Sequence, residues 1–323
     1  MKFTEEELKK YAAPLSETEN QKCLNAIKMV RDALKNFGFL ADEELISKMY
    51  EDTYAYEIRM RNTKGKKVHI FIQGSYANNT NVRTESDVDI AIIEEDVFNT
   101  EYRPETSPFP QSDKDYNFIP TQNEDKSFKD KIQECLEDKF GHDVERKNKS
   151  IRVHGNTYRK DIDTVPCRRY RDYRNDYRKD VDNYIRGIVI TPDIGPRIIN
   201  YPEQHIANGR RKNNDTNRCY KKMVRIIKKM RNIMSDYGYD EADKVSSFGL
   251  ESLLWNIPNS EFTKYSIYRF EFGELVEYLY RNKDNFNTYK EANGIKMLCQ
   301  SPQEALRYKN FVNCLYSFYQ YDL

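Results

Sequence analysis

The run Val68-His69-Ile70-Phe71-Ile72 leading into Gly74-Ser75, followed by Asp87-Val88-Asp89-Ile90-Ala91-Ile92-Ile93, constrains this chain more than any other feature. A β-branched run ending in Gly-Ser predicts a strand that turns at a glycine, where the missing Cβ lets backbone approach a bound group. Free N–H groups of a following helix start, with the Ser75 hydroxyl, would supply donors to an anion such as a phosphate. The second run predicts another strand, on which residues two apart share a face, so Asp87 and Asp89 project together. Two carboxylates that close repel each other unless a cation lies between them, and hard Mg²⁺ takes oxygen ligands. A solvent-facing strand edge, with Val88 and Ile90 turned inward, is the bland alternative; the Gly-Ser turn upstream favours the cation.

A two-metal site needs a third carboxylate from elsewhere in the chain. Lys160-Asp161-Ile162-Asp163-Thr164-Val165-Pro166 supplies one on a further strand. Asp161 and Asp163 share a face by the same period-two argument, so spacing alone does not choose between them.

The remainder of the sequence predicts an α+β fold. Helices are expected over 4–12, over 17–37 with Leu24, Ile27, Val30 and Leu34 at helical spacing, and over 42–61. Residues 96–125, with Pro104, Pro108, Pro110 and Pro120, read as an exposed loop. A short helix over 127–138 and strands near 150–153 and 158–166 follow. From residue 223 onward the periods are helical, over 223–234, 250–255, 271–280 and 302–319. We place a boundary near the strand at Ile185–Thr191, giving a catalytic lobe over 1–190, N-terminal helices included, and a helical lobe over 191–323.

Charge narrows the partners. Lys and Arg (53) nearly cancel Asp and Glu (52), so the chain is no polycation that binds nucleic acid by charge alone. The six cysteines are scattered without CxxC pairing and read as reduced thiols, and no apolar leader or 18-residue apolar run occurs. A cytoplasmic protein without membrane attachment is expected.

GSYANNT, then DVDI, then DTVP resembles the CD-NTases, the bacterial relatives of cyclic GMP-AMP synthase and oligoadenylate synthetase in the DNA polymerase β-like nucleotidyltransferase superfamily. The resemblance implies a mixed sheet with flanking helices, closed by a C-terminal helical lobe. It implies an enzyme that condenses nucleoside triphosphates into a cyclic di- or trinucleotide second messenger for CBASS anti-phage signalling, acting through a downstream effector. Two Mg²⁺ ions per site, with Mn²⁺ able to substitute, would be held by Asp87, Asp89 and Asp163; the Asp-x-x-Pro ending favours Asp163 over Asp161. A monomer is expected, and no nucleic-acid activator, the latter because no zinc-binding insertion of the kind used by the double-stranded-DNA sensor is visible. Another polymerase β-like transferase, adding nucleotides to RNA or protein, and a silent nucleotide- or RNA-binding protein are the alternatives.

In the helical half, MVRIIKKMR is similar to the core helix of oligoadenylate synthetases, which implies that Arg225 and Lys228 contact the donor triphosphate, with Lys229 the alternative register. A solvated basic face is the plainer reading. Ser247 and Phe248 fall where that family places a Ser-aromatic pair beside the donor nucleotide; Phe248 fits base stacking and core packing equally. The Arg/Tyr-rich segment 168–186 reads as a helix laced with Asp–Arg pairs rather than a nucleic-acid surface. His69, His142 and His154 read as structural. Pro202, His205, Asn208, Asn213 and Asn214 receive no role.

Overall fold

The computed structural model describes residues 3–41, 46–82, 87–121 and 125–320. Helices α1 (Glu5–Tyr11) and α2 (Glu17–Asn36) lead into strands β1 (Phe39–Ala41), β2 (Ser47–Lys48), β3 (Tyr56–Asn62) and β4 (Lys67–Ile72). The single turn α3 (Gly74–Ala77) precedes β5 (Val88–Glu101), α4 (Phe128–Phe140), β6 (Val144–Arg146), β7 (Ile151–Val153) and β8 (Ile162–Asp172). After β9 (Ile185–Ile190) and β10 (Ile198–Asn200) the chain is helical: α5 (Pro202–Asp215), α6 (Tyr220–Asp236), α7 (Asp240–Asp243), α8 (Ser247–Trp255), α9 (Tyr268–Asn282) and α10 (Pro302–Gln320).

Two compact units result, one formed by 17–73 and 85–203 and the other by 1–16, 74–84 and 204–323. This division differs from a single boundary near residue 190, for two physical reasons. Phe3, Leu8 and Ala12 are buried in the helical core, so α1 belongs there. Ile188, Val189 and Ile190 pair with β10, and Ile188 and Val189 also with β8, so β9 belongs to the sheet unit.

In the sheet unit the strand order is β1-β3-β4-β5-β8-β7-β6, with β9 joining β8 to β10 and β2 flanking β3. Most pairs are antiparallel, but β5 and β8 run parallel and are linked by a crossover through α4. Ser127 and Asp130 form a reciprocal capping box that starts α4. α2 buries Cys23, Ala26, Ile27, Val30 and Leu34 and packs against α4 and the sheet. In the helical unit, α6 buries Met223, Val224, Ile226, Ile227, Met230 and Met234 against α8, α1 and α10.

Three expectations are corrected. The region read as a helix over 42–61 carries β2 and β3 instead; residues 42–45 lie outside the described residues. Tyr56, Ile58 and Met60 are buried and alternate with Glu57, Arg59 and Arg61, a period of two that the Glu and Met content disguised. β5 runs on to Glu101, into the stretch read as loop, and rejoins β8 after an irregularity between Glu94 and Phe98. Residues 168–186 are not a helix: β8 continues to Asp172 and β9 begins at Ile185. Arg168–Asp172 lie on a strand, and Tyr173, just past its end, is buried among the rings of Tyr102, Tyr116 and Tyr184. The six cysteines are free thiols. Among the described residues no helix is long and apolar enough to cross a membrane.

Arg169 on β8 has no exposed side-chain surface and donates to Glu95 at 2.9 and 2.5 Å, to Glu203 at 2.7 Å and to the Gly187 carbonyl at 3.2 Å. Arg169→Met should lower stability by about 3 kcal/mol, the low end for a broken buried ion pair, because both glutamates keep some contact with water. Urea unfolding followed by circular dichroism measures it.

Candidate active site

The register of β5 and β8 places Asp89 directly opposite Asp163. On the far side of β8, Asp163 is opposite Arg152 of β7. Residues opposed across neighbouring strands share a face, so Asp89, Asp163 and Arg152 form one row across three strands. Val88, Ile90, Ile162 and Thr164 alternate with them and are buried.

Asp161, level by spacing alone, is engaged elsewhere. It accepts hydrogen bonds from the Gly155 N–H and from Arg152 Nη2. A Cβ at position 155 would lie 2.6 Å from Asp161 Oδ1 and 2.7 Å from its backbone nitrogen, so this approach requires glycine. Burial alone would raise the Asp161 carboxyl, but Gly155 and Arg152 outweigh it and hold it below its ordinary value.

Asp163 is placed differently. Its Oδ1 is buried without a hydrogen-bond partner, and Lys147 Nζ stands 3.9 Å away. Burial, reinforced by Asp163 and Asp87, pushes the Asp89 carboxyl up to about 7. Asp87 is also raised, by burial first, although Arg152 pulls the other way. An orphaned acceptor opposite a carboxyl that resists ionisation is an arrangement a hard cation relieves, so this donor set fits a divalent ion. Among the described residues no three carboxylate, His or Cys side chains are gathered into a finished metal cage. Asp87 Oδ1 accepts from Arg152 Nη2 at 2.9 Å.

Gly74 follows β4 with φ +69°, a left-handed value that a side chain resists, so the glycine serves the turn itself. α3 spans only Gly74–Ala77, so any donors here are the N–H groups of one turn rather than the end of a long helix. Residues 83–86 of the motif lie outside the described residues. The turn closes on itself: Asn78 Nδ2 donates to the Gly74 carbonyl at 3.1 Å and the Thr80 N–H to the Ser75 carbonyl at 2.9 Å.

Arg225 and Lys228, expected to reach phosphate, have another task in the structure. They are only 4% and 2% exposed. Arg225 donates to the Ala12 and Asn79 carbonyls. Lys228 Nζ donates to the Thr80 carbonyl at 3.1 Å, its hydroxyl at 3.0 Å and Glu251 at 3.1 Å. Both cations therefore hold residues 79 and 80, just past the Gly-Ser turn. A direct phosphate contact would require these bonds to break. Lys229 lies 5.9 Å from the Tyr11 ring centroid.

Glu251 and His205 complete this network, and the sequence assigned neither a role. Glu251 accepts from His205 at 2.8 Å and from the Thr80 hydroxyl at 2.9 Å. Burial alone would raise the Glu251 carboxyl, but Lys228 and His205 hold it far below the usual carboxylate range. Burial likewise lowers Lys228. Ser247 accepts from Arg231 at 2.9 Å, and Phe248 is 37% exposed, with its ring edge-on to His205 at 5.1 Å. That exposure separates Phe248 from the packed core. His69 is structural, bonded to Glu57 at 2.7 Å.

Arg152, in the sheet unit's carboxylate row, and Glu251, in the helical unit's buried network, were given no role by sequence reasoning. A lone arginine on a strand and a glutamate in an apolar helix carry no local motif; only strand register and burial expose them. Glu251→Gln leaves Lys228 buried without its counter-charge and should cost about 3–5 kcal/mol. Because the Glu251 carboxyl is depressed, its contribution is complete above the ordinary value of 4.5 and is lost as pH falls below it. The wild type should lose more stability than Glu251→Gln between about pH 5 and pH 2. Urea midpoints measured across that range check both statements.

Residues 57–164 match the nucleotidyltransferase domain family, and residues 207–321 match the cGAS/DncV-like nucleotidyltransferase C-terminal helical domain. The chain is 45% identical to the cyclic GMP-AMP synthase CdnE03 of Staphylococcus schleiferi, over 100% of its own length and 98% of that relative. It is 36% identical to the cyclic dipyrimidine nucleotide synthase CdnE of Cecembia lonarensis, over 90% of this chain and 88% of that one. Its fold is similar to the CdnE cyclic dinucleotide synthase of Elizabethkingia meningoseptica, a structure with GTP and Apcpp, at a TM-score of 0.72 and 30% identity, covering 99% and 100% of the two chains. The expected mixed sheet with flanking helices and a C-terminal helical region is thus shown, and divalent-metal dependence follows in general from the nucleotidyltransferase fold. The chain belongs to the CD-NTase family and is a nucleotidyltransferase.

Proposed function

We propose that this chain condenses nucleoside triphosphates into a cyclic di- or trinucleotide, with release of pyrophosphate, as the signal-producing enzyme of a CBASS anti-phage system. The observation that carries this reading is the opposition of Asp89 and Asp163 across the parallel β5–β8 pair, with Asp161 already engaged. Relatives whose names record cyclic nucleotide synthesis, aligned over nearly the whole chain, support the product class. Those names differ in base, GMP-AMP in one and dipyrimidine in the other, so base choice is a property to measure here.

In this reading Asp87, Asp89 and Asp163 hold two Mg²⁺ ions, with Mn²⁺ able to replace them. When bound, such ions acidify an acceptor ribose hydroxyl and neutralise the departing pyrophosphate. The protein itself contributes positioning and charge. Gly74 and Ser75 offer turn donors to the triphosphate, while Arg225 and Lys228 keep the following residues fixed from the buried side. Rigid placement of reacting groups is worth much of the barrier in phosphoryl transfer. Phe248, partly exposed beside Ser247, offers a face for a base, a contact worth about 1–3 kcal/mol. The enzyme acts as a cytoplasmic monomer without a nucleic-acid activator, and its product binds a downstream effector.

The test incubates purified protein with four labelled NTPs and Mg²⁺ or Mn²⁺, treats the products with phosphatase, and identifies resistant species by mass. A cyclic product is expected; its absence across pH and metal would contradict the proposal. Asp89→Asn and Asp163→Asn should each reduce the rate by about 10²–10³-fold, as loss of a principal electrostatic contributor does. Asp161→Asn should retain activity within about tenfold, a loss of about 1.4 kcal/mol in transition-state stabilisation.

A further inference from the structure

Arg152 is the unexplained charge in the carboxylate row. Its Nη2 donates to Asp87 Oδ1 at 2.9 Å and also to Asp161 Oδ2, so one guanidinium nitrogen ties together two of the four aspartates on this part of the sheet. Its backbone position opposite Asp163 fixes it there, and its side chain is 23% exposed. Asp161 is anchored independently by the Gly155 N–H. Arg152 is thereby held on one side by Asp161 and on the other by Asp87, one of the three carboxylates read above as metal ligands.

We propose that Arg152 is a positioning residue that serves as a built-in counter-cation for Asp87 and competes with the divalent ion for it. The inference rests on the reading of Asp87 as a metal ligand. Four carboxylates (Asp87, Asp89, Asp161, Asp163) crowded on neighbouring strands would repel one another, and a fixed positive charge offsets that repulsion whatever the metal supply. The same charge opposes metal entry, because Asp87 must leave Arg152 before it can ligate fully. Asp161 and Gly155 act as the tether that keeps the guanidinium close enough to recapture Asp87. Metal occupancy is then set by competition, and Arg152 tunes the ion concentration at which the site fills.

The test measures Mn²⁺ binding to the full chain, stripped with EDTA and dialysed, by calorimetry or by the electron paramagnetic resonance of free Mn²⁺. Thermal unfolding is recorded with and without Mn²⁺. Arg152→Gln should bind Mn²⁺ roughly tenfold more tightly than the wild type, as expected when a neighbouring unit charge is removed. It should also melt at a lower temperature in EDTA, with the deficit shrinking as Mn²⁺ is added. Arg152→Lys keeps the charge but loses the planar fork, so its affinity should fall between the two; this variant carries the test if the glutamine form does not fold. A merely structural arginine would not raise metal affinity when removed. Unchanged or weaker Mn²⁺ binding in both variants, with Asp89→Asn still weakened, overturns the role of Arg152 alone. Wild-type Mn²⁺ binding by Asp89→Asn would instead overturn the metal-site reading and this proposal with it.

Discussion

Asp89 and Asp163 face one another across two parallel strands, where strand pairing sets two carboxyl groups side by side. Burial first, and then the nearby Asp163 and Asp87, push the Asp89 carboxyl up to about 7. A parallel pair needs a long crossover, and the α4–β6–β7 excursion supplies it. That excursion brings Arg152 beside Asp163 and lays Gly155 against Asp161. The carboxylate row, its counter-charge and the diversion of Asp161 are therefore consequences of one topological choice. The apolar alternation of Val88, Ile90 and Ile162 holds the register, since a one-residue slip would bury the acids and expose the core.

The helical unit solves a different problem with the same physics. The Gly74–Thr80 turn needs a left-handed glycine and leaves carbonyls at Asn79 and Thr80 that must be satisfied. Arg225 and Lys228 satisfy them from α6, and Glu251, itself bonded to His205, supplies the counter-charge to Lys228. A buried ion network of this kind adds little net stability but penalises every alternative placement of the turn.

Legibility from the sequence followed the range of the governing interaction. β4, the glycine turn, β5, α6 and α10 were readable because short periods and one special residue define them. The three aspartates were readable because strand alternation is local, yet choosing Asp163 over Asp161 took a family resemblance. Strand spacing could not show that Gly155 and Arg152 engage Asp161, because both contacts come from the excursion before β8. β3 and the end of β8 were misread as helix because Glu, Arg and Met content was weighed above a period of two. Arg225 and Lys228 were expected on a phosphate or solvated face; their burial depends on the Ala12, Asn79 and Thr80 carbonyls and on Glu251, all distant in sequence. Arg152 and His205 left no local signal, since their meaning lies wholly in strand register and helix packing.

The most direct measurement of the central claim is a crystal structure of the protein soaked with Mn²⁺ and a non-hydrolysable nucleoside triphosphate, with the ions placed by anomalous scattering. The account expects anomalous peaks ligated by Asp87, Asp89 and Asp163, with Asp161 still on the Gly155 N–H. Ions ligated by Asp161 in place of Asp163, or lying away from the β5–β8 pair, would contradict it.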